Sequence, residues 1–300
     1  MFEKVIVATD LSRNSDVLVN CLGELKAYGT QRCLLLLCLN MQETASIALS
    51  YSSHQLEKSL QNQKESLEEQ GLIVEARILS GDLKNEINKI AVDEDYSAII
   101  VGAKINSMIS ELFFSGIADD VIHHSQKPVF VIRLEDNPKA ECSCVEAIGC
   151  NIGNHILFPT DFSQNADFAF KYLTEITIMG AKKITLLHVQ DKSRISPYLE
   201  NRLEEFNEID NQRLQKMKKI LQEKGNIEVE TVLKYGSPSV EIIKLVNELN
   251  IKLVVIGNQG RGFFKELFLG SVSNNIARLS PSSVLLISMD KNDLNKKRGE

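Results

Sequence analysis

The chain repeats itself, and any fold proposed for it has to be built twice. ATDLSRNSD begins at Ala8 and PTDFSQNAD at Pro159, so Asp10 and Asp161 stand 151 positions apart; Gly29 and Gly180 keep that offset. Further on, SGDLKNEINKIAVDEDYSAIIVGA aligns with YGSPSVEIIKLVNELNIKLVVIGN, pairing Gly81 with Gly236 and Gly102 with Gly257 at an offset of 155. ELFFSGIADDVI onto ELFLGSVSNNIA and VFVIR onto VLLIS share the second offset. One insertion of four residues, between the second and third strand-like segments, therefore aligns the halves. Copies of about 135–150 residues are of ordinary domain size.

Each copy reads as five strands with helices between them. The strands fall near 3–9, 33–39, 72–79, 97–102 and 128–133, and again near 154–160, 182–189, 227–233, 252–257 and 283–289. LLLLCL and LVVIG are continuous apolar runs, the mark of parallel strands covered on both faces. Over 198–221, Leu199, Leu203, Phe206, Leu214, Met217 and Leu221 recur at helical spacing, with Gly225 as a stop. Gly236-Ser237-Pro238 ends a strand and opens a helix, Ser237 capping it and Pro238 in its first turn. Alternating β and α segments of this length predict a doubly wound, five-stranded parallel sheet in each copy. The expected division is a first domain over 1–135, a linker over 136–152, a second domain over 153–290 and a charged tail over 291–300.

Composition narrows the functional classes. The net charge is −6 and no basic stripe stands out, which argues against recognition of a nucleic-acid backbone. The longest apolar run, CLLLLCL at 33–39, is far shorter than the roughly 20 residues of a membrane span. MFEKVIVATD reads as a strand and not a signal peptide, so the cytoplasm is the expected location. Cys21, Cys33 and Cys38 sit in apolar surroundings and read as small buried hydrophobes.

The chemistry concentrates in GNQGRGFFKELFLGS, residues 257–271, between a buried strand and the helix VSNNIARL. Ligands of open parallel sheets bind beyond the carboxyl ends of the strands, where the winding direction switches. A helix start adds free N–H groups and partial positive charge, which suit phosphate. Glycines at Gly257, Gly260, Gly262 and Gly270 let the main chain approach a ligand closely, and Ser271 and Ser273 add hydroxyls. Arg261 reads as a solvated surface residue within reach of outer phosphates, and Phe263, Phe264, Leu267 and Phe268 as packing. Taken alone, Gly257 is a turn glycine, Asp161 a helix cap and His188 a packed histidine. There is no Gly-Lys-Ser/Thr, so this is not a Walker loop, and the glycine order differs from G-x-G-x-x-G.

The pattern G-x2-G-x9-G-S, with PTDFS at the end of the first strand and His188-Val189 at the end of the second, resembles the universal stress protein family, here as a tandem of two UspA domains. The resemblance implies a Rossmann-like α/β fold of the adenine nucleotide alpha hydrolase-like kind, and binding of ATP or a related adenine nucleotide (AMP or ADP), with Mg²⁺ as a companion. It implies that Pro159, Thr160 and Asp161 line the adenosine side and that Val189 offers its backbone to the base. Ile256 and Gly257 then lie under the ribose, and Gly260, Gly270, Ser271, Val272 and Ser273 hold phosphates. Asp161 either accepts from adenosine or helps hold Mg²⁺. The implied role is a nucleotide-dependent stress-response regulator; a slow ATPase and a scaffold with vestigial sites are the alternatives. Family domains pair through their last strands, which implies an intrachain pseudo-dimer through VFVIR and VLLIS, with dimerisation of chains as a further possibility.

The first copy departs from the pattern. It reads GAKINSMISELFFSG, with Ile105 where Gly260 stands, Ser115 for Gly270, Gly116 for Ser271 and Ala8 for Pro159. A β-branched residue is disfavoured where φ is positive and fills space a phosphate needs. The single expected site is therefore in the second copy. Cys142, Cys144 and Cys150, with His155 beyond them, read as free thiols of the linker; a zinc or redox clip is the sharper alternative.

Overall fold

The computed structural model describes residues 1–39, 53–80, 83–104, 121–134, 152–260 and 269–289. The chain divides into two units, one within Met1–Cys150 and one over Asn151–Met289. Among the described residues no helix is long and apolar enough to cross a membrane.

In the first unit the strands are β1 (Lys4–Thr9), β2 (Arg32–Leu39), β3 (Ile73–Ser80), β4 (Ala98–Lys104) and β5 (Val129–Leu134), with helices α1 (Arg13–Asn20), α2 (Ser53–Glu69) and α3 (Leu83–Asp93) among the crossovers. The second unit has β6 (Ile156–Pro159), β7 (Lys183–Asp191), β8 (Glu228–Gly236), β9 (Leu253–Gly257) and β10 (Ser283–Ile287). Its helices are α4 (Gln164–Ile178), the single turn α5 (Lys192–Ile195), α6 (Leu203–Lys224), α7 (Pro238–Glu248) and α8 (Ser271–Leu279). The sheet order is β3-β2-β1-β4-β5 in the first unit and β8-β7-β6-β9-β10 in the second. Neighbours within each order pair in parallel. Each unit is thus a doubly wound sheet whose winding reverses between its first and fourth strands, at β1/β4 and at β6/β9.

The apolar runs explain the strands. Leu34 to Leu37 and Leu253 to Ile256 are buried on both faces of their sheets. Each large apolar side chain so enclosed contributes on the order of 1.5–3 kcal/mol. Register carries the repeat down to residue pairs: Lys4 opposes Arg32, and Ile156 opposes Ile184, the same spacing. Arg32 opposes Ile73, whereas Lys183 opposes a residue four positions later in its own copy, Glu228. The four-residue insertion therefore lies in the β7–β8 crossover. Helix starts are repeated too, since Ser12 Oγ accepts from Ser15 N and Ser163 Oγ accepts from Ala166 N.

Three local expectations need correction. The helix expected over 198–221 runs over Leu203–Lys224; Leu199 precedes it, 38% exposed, beside a 3-10 turn at Glu200–Arg202. Leu214 and Leu221 alone of the expected stripe are fully buried. Gly225 stops the helix as expected, in extended backbone. Ser237 precedes α7, with Pro238 in the first turn, but its side chain makes no capping hydrogen bond.

Candidate functional site

The carboxyl ends of β6, β7 and β9 open into a cavity of about 540 Å³, at the point where the winding of the second unit reverses. All eleven residues that the family resemblance assigned to a nucleotide line it. Pro159, Thr160 and Asp161 come from the end of β6, Val189 from β7, Ile256, Gly257 and Gly260 from β9 and its loop, and Gly270, Ser271, Val272 and Ser273 from the start of α8.

The β6 end is fixed by its own short polar side chains. Thr160 N donates to Leu187 O at 2.8 Å, and Thr160 Oγ1 accepts from Phe162 N at 3.0 Å. Asp161 Oδ1 accepts from Ser163 N at 3.0 Å. This chain reversal holds Phe162 at φ 57°, in the left-handed region that side chains other than glycine avoid. The helix cap is Ser163; Asp161 braces the turn before it, correcting the reading of Asp161 as the cap.

The glycines serve different ends. A Cβ on Gly257 would lie 3.1 Å from the backbone C and O of Asn165, so this glycine lets α4 press against β9. A Cβ on Gly260 would lie 2.8 Å from Asp161 Oδ2, so here the missing side chain leaves room for a carboxylate at the cavity edge. Gly270 precedes α8 with no side chain to cap it, and its N–H donates to Asn258 O at 2.7 Å. The first-turn amides of α8 are thereby presented at the cavity with the positive end of the helix dipole. Ser273 is 4% exposed and its hydroxyl donates to Gly257 O at 2.7 Å. Its single hydroxyl proton is committed, so Ser273 offers the cavity a main-chain N–H and not the hydroxyl donor expected from the sequence. Arg261, Gly262, Phe263, Phe264, Leu267 and Phe268 lie outside the described residues.

The far wall was not foreseen. Arg194, Leu199, Phe206, Ile209, Asp210 and Arg213 line the cavity from the β7–β8 crossover, and His188 and Gln190 line it from β7. Leu199 and Phe206 read as part of an apolar helix stripe, and the charged residues were not singled out. The one available signal was the four-residue insertion, which falls in this crossover.

The first unit builds the equivalent place otherwise. Leu11 N donates to Thr9 Oγ1 and Ser12 N to Asp10 Oδ1, and Leu11 also has φ 57°. Burial opposes ionisation of Asp10, but hydrogen bonds from Ser12 and Ser15 outweigh it and hold the carboxyl below its ordinary value. Thr9 Oγ1 donates to Gln63 Oε1 at 2.8 Å, and Gln63 Nε2 donates to Asp16 Oδ1 at 2.6 Å, so a buried side chain of α2 covers the β1 end. Ile105, Ser115 and Gly116 lie outside the described residues, as do Cys142, Cys144 and Cys150. His155 Nε2 is 2.8 Å from Thr185 Oγ1. Cys21 and Cys33 are buried, and burial pushes the Cys33 thiol up to about 12.

Fold and cavity together define a doubly wound α/β protein with a glycine-loop crevice at its switch point. The sequence profile of the universal stress protein family matches residues 1–133 and 153–288, and the chain belongs to that family. It is 30% identical over 151 residues to the universal stress protein MJ0577 of Methanocaldococcus jannaschii, spanning 44% of this chain and 93% of that protein. It is 28% identical over 144 residues to a putative universal stress protein, SH1215, of Staphylococcus haemolyticus, spanning 46% and 86%. In fold it is similar to a universal stress protein from Archaeoglobus fulgidus, with TM-score 0.75 at 23% identity, covering 96% of this chain and 99% of that one.

Proposed function

We propose that the second unit binds ATP or a related adenine nucleotide and that the protein is a nucleotide-dependent regulator. The observation that carries this reading is the convergence of Pro159-Thr160-Asp161, Val189 and the G-x2-G-x9-G-S residues on one cavity at the sheet's switch point. The phosphates go to the glycine loop and the main-chain donors at the start of α8, the ribose to Ile256 and Gly257, and the base to Val189. The space beside Gly260 fits this assignment, because a side chain there would meet Asp161. Asp161, an acidic group at the end of β6 that lines the cavity, is assigned to the adenosine or to a bound Mg²⁺. The sequence has no Walker lysine, so binding is expected to outlast turnover.

Calorimetric titration of the full chain with ATP, AMP and GTP tests the reading, together with analysis of any nucleotide that co-purifies. Saturable binding of an adenine nucleotide at one site per chain, lost on Gly260→Ile, is the expected result. Absence of binding, or phosphate release near the roughly 10 s⁻¹ of committed enzymes, overturns it.

A further inference from the structure

His188 and Asp210 form a buried polar assembly that the fold does not require. Asp210, on the second turn of α6, is 8% exposed. It accepts from Gln190 Nε2 at 3.0 Å, and its carboxylate lies 3.5 Å from both His188 Nε2 and Arg213 Nη1. His188 Nδ1 is 2.7 Å from the Thr160 carbonyl oxygen. A carbonyl only accepts, so Nδ1 carries a proton and donates it there. The His188 ring lies 4.6 Å from that of Phe162, and the Arg213 guanidinium stands 5.2 Å from the Phe162 centroid. Phe162 thus lies beside both His188 and Arg213, and the Asp210 carboxylate reaches both of those residues.

Buried polar groups of this kind are costly unless every member is satisfied. The first unit keeps the same strand and the same left-handed residue, Leu11, yet places Leu37 and Leu39 where His188 and Gln190 stand. Leu37 is 1% exposed. One half of the molecule therefore shows that an apolar strand end satisfies the fold, and the polar version lines the cavity of the second unit.

We infer that His188 is a positioning residue for the nucleotide site, braced by Asp210. By holding the Thr160 carbonyl it fixes the peptide that leads into Asp161, and so aims the Asp161 carboxylate past Gly260 into the cavity. When Nε2 carries a proton as well as Nδ1, the Asp210 carboxylate 3.5 Å away orients the imidazolium from α6, which couples the crossover to the β6 end of the site. The inference rests on the nucleotide reading above and adds to it the group that sets the adenosine end.

The test is ATP titration of the full chain carrying His188→Leu, His188→Asn or His188→Gln, beside the unmodified protein, with thermal unfolding of each. Asn places an amide donor near Nδ1 and keeps the bond to Thr160; Gln places one near Nε2 and keeps only the reach to Asp210. His188→Leu, copying Leu37, and His188→Gln are expected to bind ATP about tenfold more weakly, the loss of one buried hydrogen bond, and His188→Asn to recover most of the affinity. Unchanged affinity in His188→Leu, or equal affinity in the Asn and Gln variants, overturns the inference alone. If His188→Leu does not fold, the Asn–Gln pair decides. No ATP binding by the unmodified protein overturns the nucleotide reading and this inference with it.

Discussion

A side chain at Gly260 and the carboxylate of Asp161 cannot occupy the same place, since a Cβ there would stand 2.8 Å from Asp161 Oδ2. What has to yield is the end of a half-buried side chain, so the fold can absorb the change while the site cannot. Gly260→Ile, the residue of the first copy, should abolish ATP binding yet leave the thermal midpoint within about 3 °C of the parent. Retained affinity would show that this edge of the cavity does not hold the ligand.

Gly257 should behave in the opposite way. Its Cβ would press at 3.1 Å on main-chain atoms of Asn165, and a helix backbone does not step aside as a carboxylate does. Gly257→Ala should destabilise the second unit by about 1–3 kcal/mol, as overpacking does elsewhere. At the aligned Gly102 the nearest atoms are side-chain carbons of Leu134 and Leu18, at 3.0 and 3.5 Å, which rotate. Gly102→Ala should therefore cost less, and urea denaturation of the two variants makes the comparison.

Ser273→Ala separates hydroxyl from main chain. The lost bond to Gly257 O is buried, so stability should fall by about 1–2 kcal/mol. ATP affinity should change less than twofold if the ligand meets the N–H of residue 273, and calorimetry of the folded variant checks it. A large loss of affinity at unchanged stability would restore the hydroxyl as a direct ligand.

How much of this was legible in the sequence depends on what each residue does. Strands such as CLLLLCL announce themselves, because a parallel strand covered on both faces has no polar alternation to blur it. The glycine loop was legible because glycine is costly without a backbone reason. Asp210 and Phe206 were not. On a helix, a cavity wall and a core stripe share one periodicity, and only the position of the strands decides which a residue joins. The role of Ser273 was misread for a related cause: a hydroxyl beside a ligand and one tied to a carbonyl look identical as letters.

His155 makes a pH prediction. Burial penalises its charged form and Lys183 adds to this, outweighing Glu230, Glu228 and a backbone bond at Leu249, so its folded value lies below 6.5. Below pH 6.5 the unfolded chain binds this proton before the folded one does. Stability from this group is therefore complete above about 6.5 and declines as the pH falls toward the folded value. His155→Gln should flatten that acid-side decline in the second unit. Chemical denaturation at a series of pH values between 7 and 5 would expose an unchanged slope, which would assign the decline to other groups.

The start of α8 meets the cavity with peptide groups, and its one buried hydroxyl is turned inward. Peptide groups are the same whatever side chain follows them, so Ser271 and Val272 can drift without erasing the cradle, while Gly257 and Gly260 cannot. Heredity at such a site is written in absences: the lineage must preserve the places where no side chain grows. A descendant could thus look altered along this loop and keep the same cavity, whereas one added methyl group would press on α4 at Gly257 or displace the Asp161 carboxylate at Gly260 in a sequence otherwise unchanged.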